Sequence, residues 1–126
     1  MDALSDFGIE VLYLLGGEPL LVRGLPRLIK RAKDEGMYVA LSTNGIILNE
    51  RYIELLKSSV DAIKVSLDSS DPAENDALRG GFHMALRGAS RAASAGIITS
   101  ISCTVTEINP RALGIVELAR NVESKR

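Results

Sequence analysis

Four times along this chain a short apolar run rich in β-formers gives way to a helical pattern, and that alternation limits the fold more than any other feature. Strand, helix and next strand are joined by a right-handed crossover, so the repeated unit calls for a parallel sheet with helices packed on it. The first strand, residues 10–15, is apolar throughout after Glu10 and is expected to be covered by helices on both faces. It runs directly into Gly16-Gly17-Glu18-Pro19. In such sheets ligands sit beyond the carboxyl ends of the strands. Adjacent glycines let a ligand approach the backbone, Glu18 adds an anionic acceptor and Pro19 fixes the chain direction. This set suits an ammonium group, which has three donors to place. The same residues also read as a tight turn in which Glu18 complements a helix N-terminus, and the residues alone leave both readings open.

The remaining units follow in order. Residues 1–8 read as the tail of a helix stopped by Gly8, and so abrupt a beginning suggests an incomplete chain. Leu25, Leu28, Ile29 and Ala32 recur at helical spacing, with Pro26 in the first turn and Gly36 at the stop. A second strand over 38–42 ends at Thr43-Asn44-Gly45, and Asn49 caps the helix that carries Tyr52, Ile53 and Leu56. A third strand over 60–67 breaks at Asp68-Ser-Ser-Asp-Pro72, which reads as turn, and its helix is expected only at 82–95. The fourth strand covers 97–104. Asn109-Pro110 then reads as the cap and first turn of a last helix through Leu118 to Ala119, and residues 123–126 are expected to fray. The expectation is one domain over 1–126 with four strand-helix units. A complete eight-unit barrel takes roughly 250 residues, so this length supplies only an arc of one, or else a small open sheet.

Composition removes several classes. A net charge of −1 with both signs interspersed advertises neither a nucleic-acid nor a membrane surface. The basic run Arg27, Lys30, Arg31, Lys33 is one exposed helix face, without interleaved aromatics for bases to stack on. The acidic start carries no cleavable apolar leader, and no run approaches the roughly 18 apolar residues of a membrane span, so a cytoplasmic protein with a small-molecule partner is expected. Cys103 is the only cysteine; it permits no internal disulfide and cannot by itself hold a thiolate-ligated metal. His83, the only histidine, reads as a surface or cap residue, and Tyr13, Tyr38 and Tyr52 read as packing.

The order of the strand-end motifs resembles the radical S-adenosylmethionine (SAM) family. Leu15-Gly-Gly-Glu-Pro-Leu-Leu21 is similar to that family's glycine-glycine-glutamate-proline motif, Ser42-Thr-Asn-Gly45 to its next signature and Val65-Ser-Leu-Asp-Ser69 to its third. Arg79-Gly80 and Thr104-Val-Thr-Glu-Ile-Asn109 resemble later features of members with a peptide-modifying type of sequence. One motif alone would be weak; four in order, at the ends of successive predicted strands, over about residues 4–120, are specific.

The resemblance implies an α/β fold, a parallel-sheet partial (β/α) barrel, and a SAM site. Gly17 and Glu18 would receive the SAM ammonium group, with Gly16 and Pro19 shaping the turn; Ser66 would contact the methionine portion, and Arg79 would face its carboxylate. Thr43 and Asn44 would line the same mouth, while Asp68 reads as structural. In the family an iron-sulfur (4Fe-4S) cluster reduces SAM to methionine and a 5′-deoxyadenosyl radical, which takes hydrogen from a substrate. The cluster loop, three cysteines spaced CxxxCxxC, is absent from this sequence, so the expectation is the central part of an enzyme core, inactive on its own, with no metal ligands of its own. The GTP cyclases of molybdenum-cofactor formation are also similar, but their arginine before the first motif glycine is Tyr13 here, and a histidine common before the arginine-glycine pair is Asn75. Two other functions compete. One is an enzyme that holds a phosphorylated metabolite on Gly16-Gly17, which the charge of Glu18 opposes. The other is a non-catalytic module that associates through open sheet edges, with itself or with a missing N-terminal segment.

Overall fold

The computed structural model describes residues 6–123. The start of the helix expected over 1–8 and residues 124–126 of the expected fraying end lie outside that range; Gly8 does adopt the left-handed conformation of a helix stop, φ 73°. Four strands, β1 (Val11–Leu14), β2 (Tyr38–Thr43), β3 (Ala62–Ser66) and β4 (Ile98–Ser102), form one sheet in the order β1-β2-β3-β4, and every neighbouring pair is parallel. The helices are α1 (Leu25–Asp34), α2 (Glu50–Leu56), α3 (Pro72–Leu78), α4 (Phe82–Ser94) and α5 (Ile115–Glu123). Short 3-10 turns stand at Pro19–Leu21 and Ala112–Gly114. This is the expected arc of strand-helix units in sequence order.

Local chemistry sets most boundaries. Gly36 (φ 77°) and Gly96 (φ 84°) take up the left-handed turns just beyond α1 and α4. The Asn49 side chain accepts from Tyr52 N at 3.2 Å and caps α2 as expected. Two expected boundaries fail. The stretch after Asp68 is not only turn, because Asp71 caps α3 by accepting from Glu74 N at 2.9 Å, with Pro72 in the first turn. Asn109 does not cap the last helix: its side chain is buried and bonded elsewhere, and α5 starts only at Ile115.

The strands follow the two-residue alternation, and one face takes most of the burial, Ala40 being the buried residue of the other. Leu12, Leu14, Val39, Leu41, Ile63, Val65 and Ile101 face the helices and join Ile29, Ala32, Ile53, Ala85, Ala89 and Ala92 in the core. The other face is open, contrary to the double cover expected for the first strand: Val11 is 53% exposed and Ile98 58%. Tyr13 and Tyr38, expected to pack, are each 40% exposed on that face. Tyr52 does pack, and its phenol donates to Leu20 O at 2.8 Å. The basic run on α1 is a surface face threaded with acids, Lys30 to Asp34 at 2.7 Å and Arg31 to Glu35 at 2.9 Å.

Two contacts make the fold testable. A Cβ added at Gly88 of α4 would stand 2.5 Å from Gly45 O and 3.1 Å from Leu48 Cβ, so α4 lies against the turn after β2 without room for a methyl group. Gly88→Ala gains about 1 kcal/mol of helix propensity but forces the helix away at a cost of about 1–3 kcal/mol. We expect net destabilisation in chemical denaturation; a more stable variant would show that this approach is not tight. At the amino end of the sheet, Asp61 accepts from Lys33 Nζ and Val39 N, each at 2.7 Å. Burial acts to raise its pKa, but the bonds from Lys33 and Val39 outweigh it and hold the carboxyl below its ordinary 3.8. A depressed folded pKa stabilises fully above the unfolded value and ceases to do so as pH falls through the folded one. Asp61→Asn is therefore expected to be less stable at neutral pH and to lose less on acidification below about pH 4; parallel acid limbs for the two proteins would refute this.

Candidate functional site

A parallel sheet delivers the ends of its strands to one edge, and here that edge carries the polar residues of the chain's turns. Beyond β1, Gly16 takes φ 122°, a conformation that side-chain-bearing residues rarely adopt, and added Cβ atoms at Gly16 or Gly17 would meet nothing within 4 Å. The glycine turn is therefore open to a ligand. Pro19 and Leu20 are buried beneath it and anchor the short 3-10 turn.

Glu18 is held firmly by the protein itself. Its Oε1 accepts from Leu20 N at 3.2 Å and from the Thr43 hydroxyl at 2.7 Å, and its Oε2 from Asn44 N at 2.8 Å. The reading as a helix-end partner is thus correct as far as it goes, but the carboxylate also fastens the end of β1 to the end of β2. Oε2, with one bond, retains capacity for another donor. Thr43 is 2% exposed and its oxygen also accepts from Gly45 N at 3.0 Å, so the turn after β2 is fixed from both sides.

Asp68, which sequence reasoning left as structural, is the second fastening and engages all its polar groups. Its N–H donates to Asn75 Oδ1 at 2.9 Å and its carbonyl accepts from Asn109 Nδ2 at 2.7 Å. Its Oδ1 accepts from Thr104 N at 3.0 Å and its Oδ2 from Arg79 Nε at 2.8 Å. Arg79 is therefore no free loop arginine. With Nε committed to Asp68, its two terminal nitrogens take no bond among the described residues, leaving a planar pair of donors. Ser66, the last residue of β3, is half-buried and its hydroxyl makes no hydrogen bond among the described residues. The register places it one strand from the Thr43-Asn44 turn, and two strand spacings, roughly 10 Å, separate it from the end of β1. Gly16, Gly17, Glu18, Ser66 and Arg79 thus share one rim.

Sequence reasoning missed two contributors, the buried asparagines. Asn75 and Asn109 are 0% and 2% exposed and join the turns after β3 and β4 through Asp68. The signal was present in Asn109-Pro110 but was read as a helix cap. His83 is exposed and stands edge-to-face on Phe82 at 5.2 Å, in keeping with a surface role. Cys103 packs against the core just past β4; burial first, then the charge of Asp68, push its thiol pKa up, with Arg79 opposing. Among the described residues no three His, Cys, Asp or Glu side chains are grouped to hold a metal ion, so the residues present do not fit an iron-sulfur cluster. No described helix is long and apolar enough to cross a membrane.

Comparison with known proteins gives one consistent result. The family model described as the Radical SAM superfamily matches residues 1–119. An AdoMet-dependent heme synthase of Nitratidesulfovibrio vulgaris is 32% identical over 113 residues, covering 86% of this chain and 31% of that protein. A probable GTP 3′,8-cyclase of Methanococcus maripaludis is 33% identical over 113 residues, covering 82% of this chain and 38% of that protein. The chain thus spans about a third of the length of these relatives. Among solved structures, Streptococcus suis SuiB bound to S-adenosylmethionine superposes with a TM-score of 0.85 over 97% of this chain and 29% of that one, at 18% identity, a likeness of fold.

The rim geometry has a direct test. Thr43→Val keeps the shape but removes the donor to Glu18 and the acceptor for Gly45 N, and is expected to cost about 1–3 kcal/mol. Denaturant unfolding should show a lower midpoint with unchanged slope, and Thr43→Ser should recover most of the loss. A valine variant as stable as the parent would show that Thr43 does not anchor Glu18.

Proposed function

The chain belongs to the radical SAM superfamily, and from that premise we propose that its strand-end rim binds S-adenosylmethionine by the amino-acid end. The supporting observation is the state of Arg79: Asp68 holds its Nε and leaves the two terminal nitrogens unbonded, the arrangement suited to a carboxylate. On this reading the SAM carboxylate lies on Arg79, the ammonium group on Glu18 Oε2 and the open backbone of Gly16 and Gly17, and the methionine portion against Ser66. Pro19 keeps the turn in place. Glu18 has a double part, because the carboxylate that would receive the ammonium is already oriented by Thr43 and Asn44. A group fixed before the ligand arrives loses little freedom on binding.

When bound, SAM supplies a sulfonium whose cleavage yields the adenosyl radical in the superfamily. The cluster that drives that cleavage is not held by this chain's described residues, so the contribution proposed here ends at binding and orienting SAM. The rim is a place for the cofactor, and hydrogen abstraction from a substrate would belong to the whole enzyme. A phosphometabolite site on the same glycines is disfavoured, since the Glu18 carboxylate next to them, both of its oxygens held by donors of the protein, would repel a phosphate.

Calorimetric titration of the purified chain with SAM tests the reading. Glu18→Ala and Arg79→Ala are each expected to weaken binding at least tenfold. Decarboxylated SAM should bind the parent and Arg79→Ala alike, because the group that Arg79 meets is gone. Equal SAM affinity in all three proteins, or no binding by the parent, would overturn the proposed site.

A further inference from the structure

One charged side chain stands in the four strands: Lys64, at the centre of β3. It lies on the open face, in the same alternation as Ala62 and Ser66. The parallel register puts Ser42 of β2 and Ser100 of β4 directly beside it, and puts Ser102 beside Ser66 one row nearer the rim. None of these four hydroxyls makes a hydrogen bond among the described residues. Residues 40 and 62 are alanines, so the ammonium group reaches across β2 to stand 5.1 Å from the centre of the Tyr13 ring. The small side chains leave a hollow of about 320 Å³ on this face, lined mostly by apolar residues such as Val11, Ala40 and Ala62, with Tyr13, Lys64 and Ser100 at its polar side and Ser42 just outside it; its volume is within the range of small-molecule sites.

The charge is uncompensated. No strand contains Asp or Glu, and Lys64 makes no ion pair among the described residues. Both faces of a parallel sheet are ordinarily covered, and a lysine under such cover is almost always paired. The face offers the three donors of an ammonium group that stands over Tyr13, open hydroxyls at Ser42 and Ser100 beside the lysine's place in β3, and no anionic acceptor in the strands, so its complement is an anion with several oxygens.

We propose that Lys64, with Ser42 and Ser100, seats an oxyanion group, phosphate or carboxylate, of the substrate on the open face beneath the rim. As a statement about the substrate this rests on the SAM reading above; the seat itself can be tested without SAM. The competing view is a solvated lysine that lays its stem on Tyr13 and binds nothing.

The test is an amide-resolved NMR titration of the 126-residue chain with inorganic phosphate and, separately, with succinate, at constant ionic strength set with chloride. Saturable shifts centred on residues 42, 64 and 100 are expected with at least one of the two, and whichever gives them names the source of the oxyanion. Lys64→Gln should weaken that response at least fivefold and Lys64→Arg should retain it. Should the glutamine variant lose its dispersed spectrum, Ser100→Ala serves instead, with an expected weakening of at least twofold. The proposal is overturned if neither anion produces saturable shifts there, if Lys64→Gln or, in its stead, Ser100→Ala responds like the parent, or if the shifts gather around Arg79. Because these titrations contain no SAM, absent shifts refute the seat and leave the rim, whereas absent SAM binding in calorimetry refutes the rim and leaves the seat.

Discussion

Parallel strands end in the same direction, so their last backbone groups and the turns that follow are crowded on one edge with no further strand residues to pair them. In this chain that demand is met by two carboxylates. Glu18 takes N–H and O–H donors from its own turn and from the turn after β2, and Asp68 takes donors from the loop after α3 and from the turn after β4. Each is a charge-assisted acceptor of several donors, stronger than neutral bonds would be and more exacting in geometry. Their bonds fix the turns after β1 to β4, and Arg79 is held in place by one of them.

The same economy of groups explains how structural and binding roles coexist. A carboxylate has about four acceptor sites; Glu18 uses three and keeps one. A guanidinium has five donors; Arg79 commits its Nε to Asp68 and keeps its terminal pair. A residue can thus look structural by its bonds and still have capacity to bind, because the unspent donors and acceptors are oriented by the spent ones. The bland and functional readings of Glu18 and Arg79 are therefore layers of one arrangement.

Burial is strongly one-sided, and this gives the sheet two chemistries. The helix-covered face is aliphatic, with Leu41, Ile63 and Val65 fully enclosed. The open face carries tyrosine, alanine, serine and one lysine, with Val11 and Ile98 at its amino end. Closing such a sheet into a barrel would turn the open face inward, beneath the rim. In that setting, small and hydroxylated residues leave room and supply hydrogen bonds that an aliphatic filling would not.

The sequence by itself determined the order of strands and helices, the parallel connection and the stations of Gly16, Gly17, Glu18 and Ser66 at strand ends, because two-residue and helical periodicities, caps and stops are local properties that a linear pattern records. It also carried the family, since the motifs are short and ordered. It did not show that the first strand has one bare face: Val11 and Tyr13 are as apolar as Leu12 and Leu14, and exposure depends on which side the helices cover. It hid α3 within a stretch of turn formers, because Asp71-Pro72 suits a turn and a helix start equally. Only the tertiary structure decided that Asp68 and Asn109, 41 residues apart, would bond, that Glu18 would fasten β2 and that Ser42, Lys64 and Ser100 would lie in one row. Those pairings arise from register between strands distant in sequence, and register is set by packing the whole sheet against its helices.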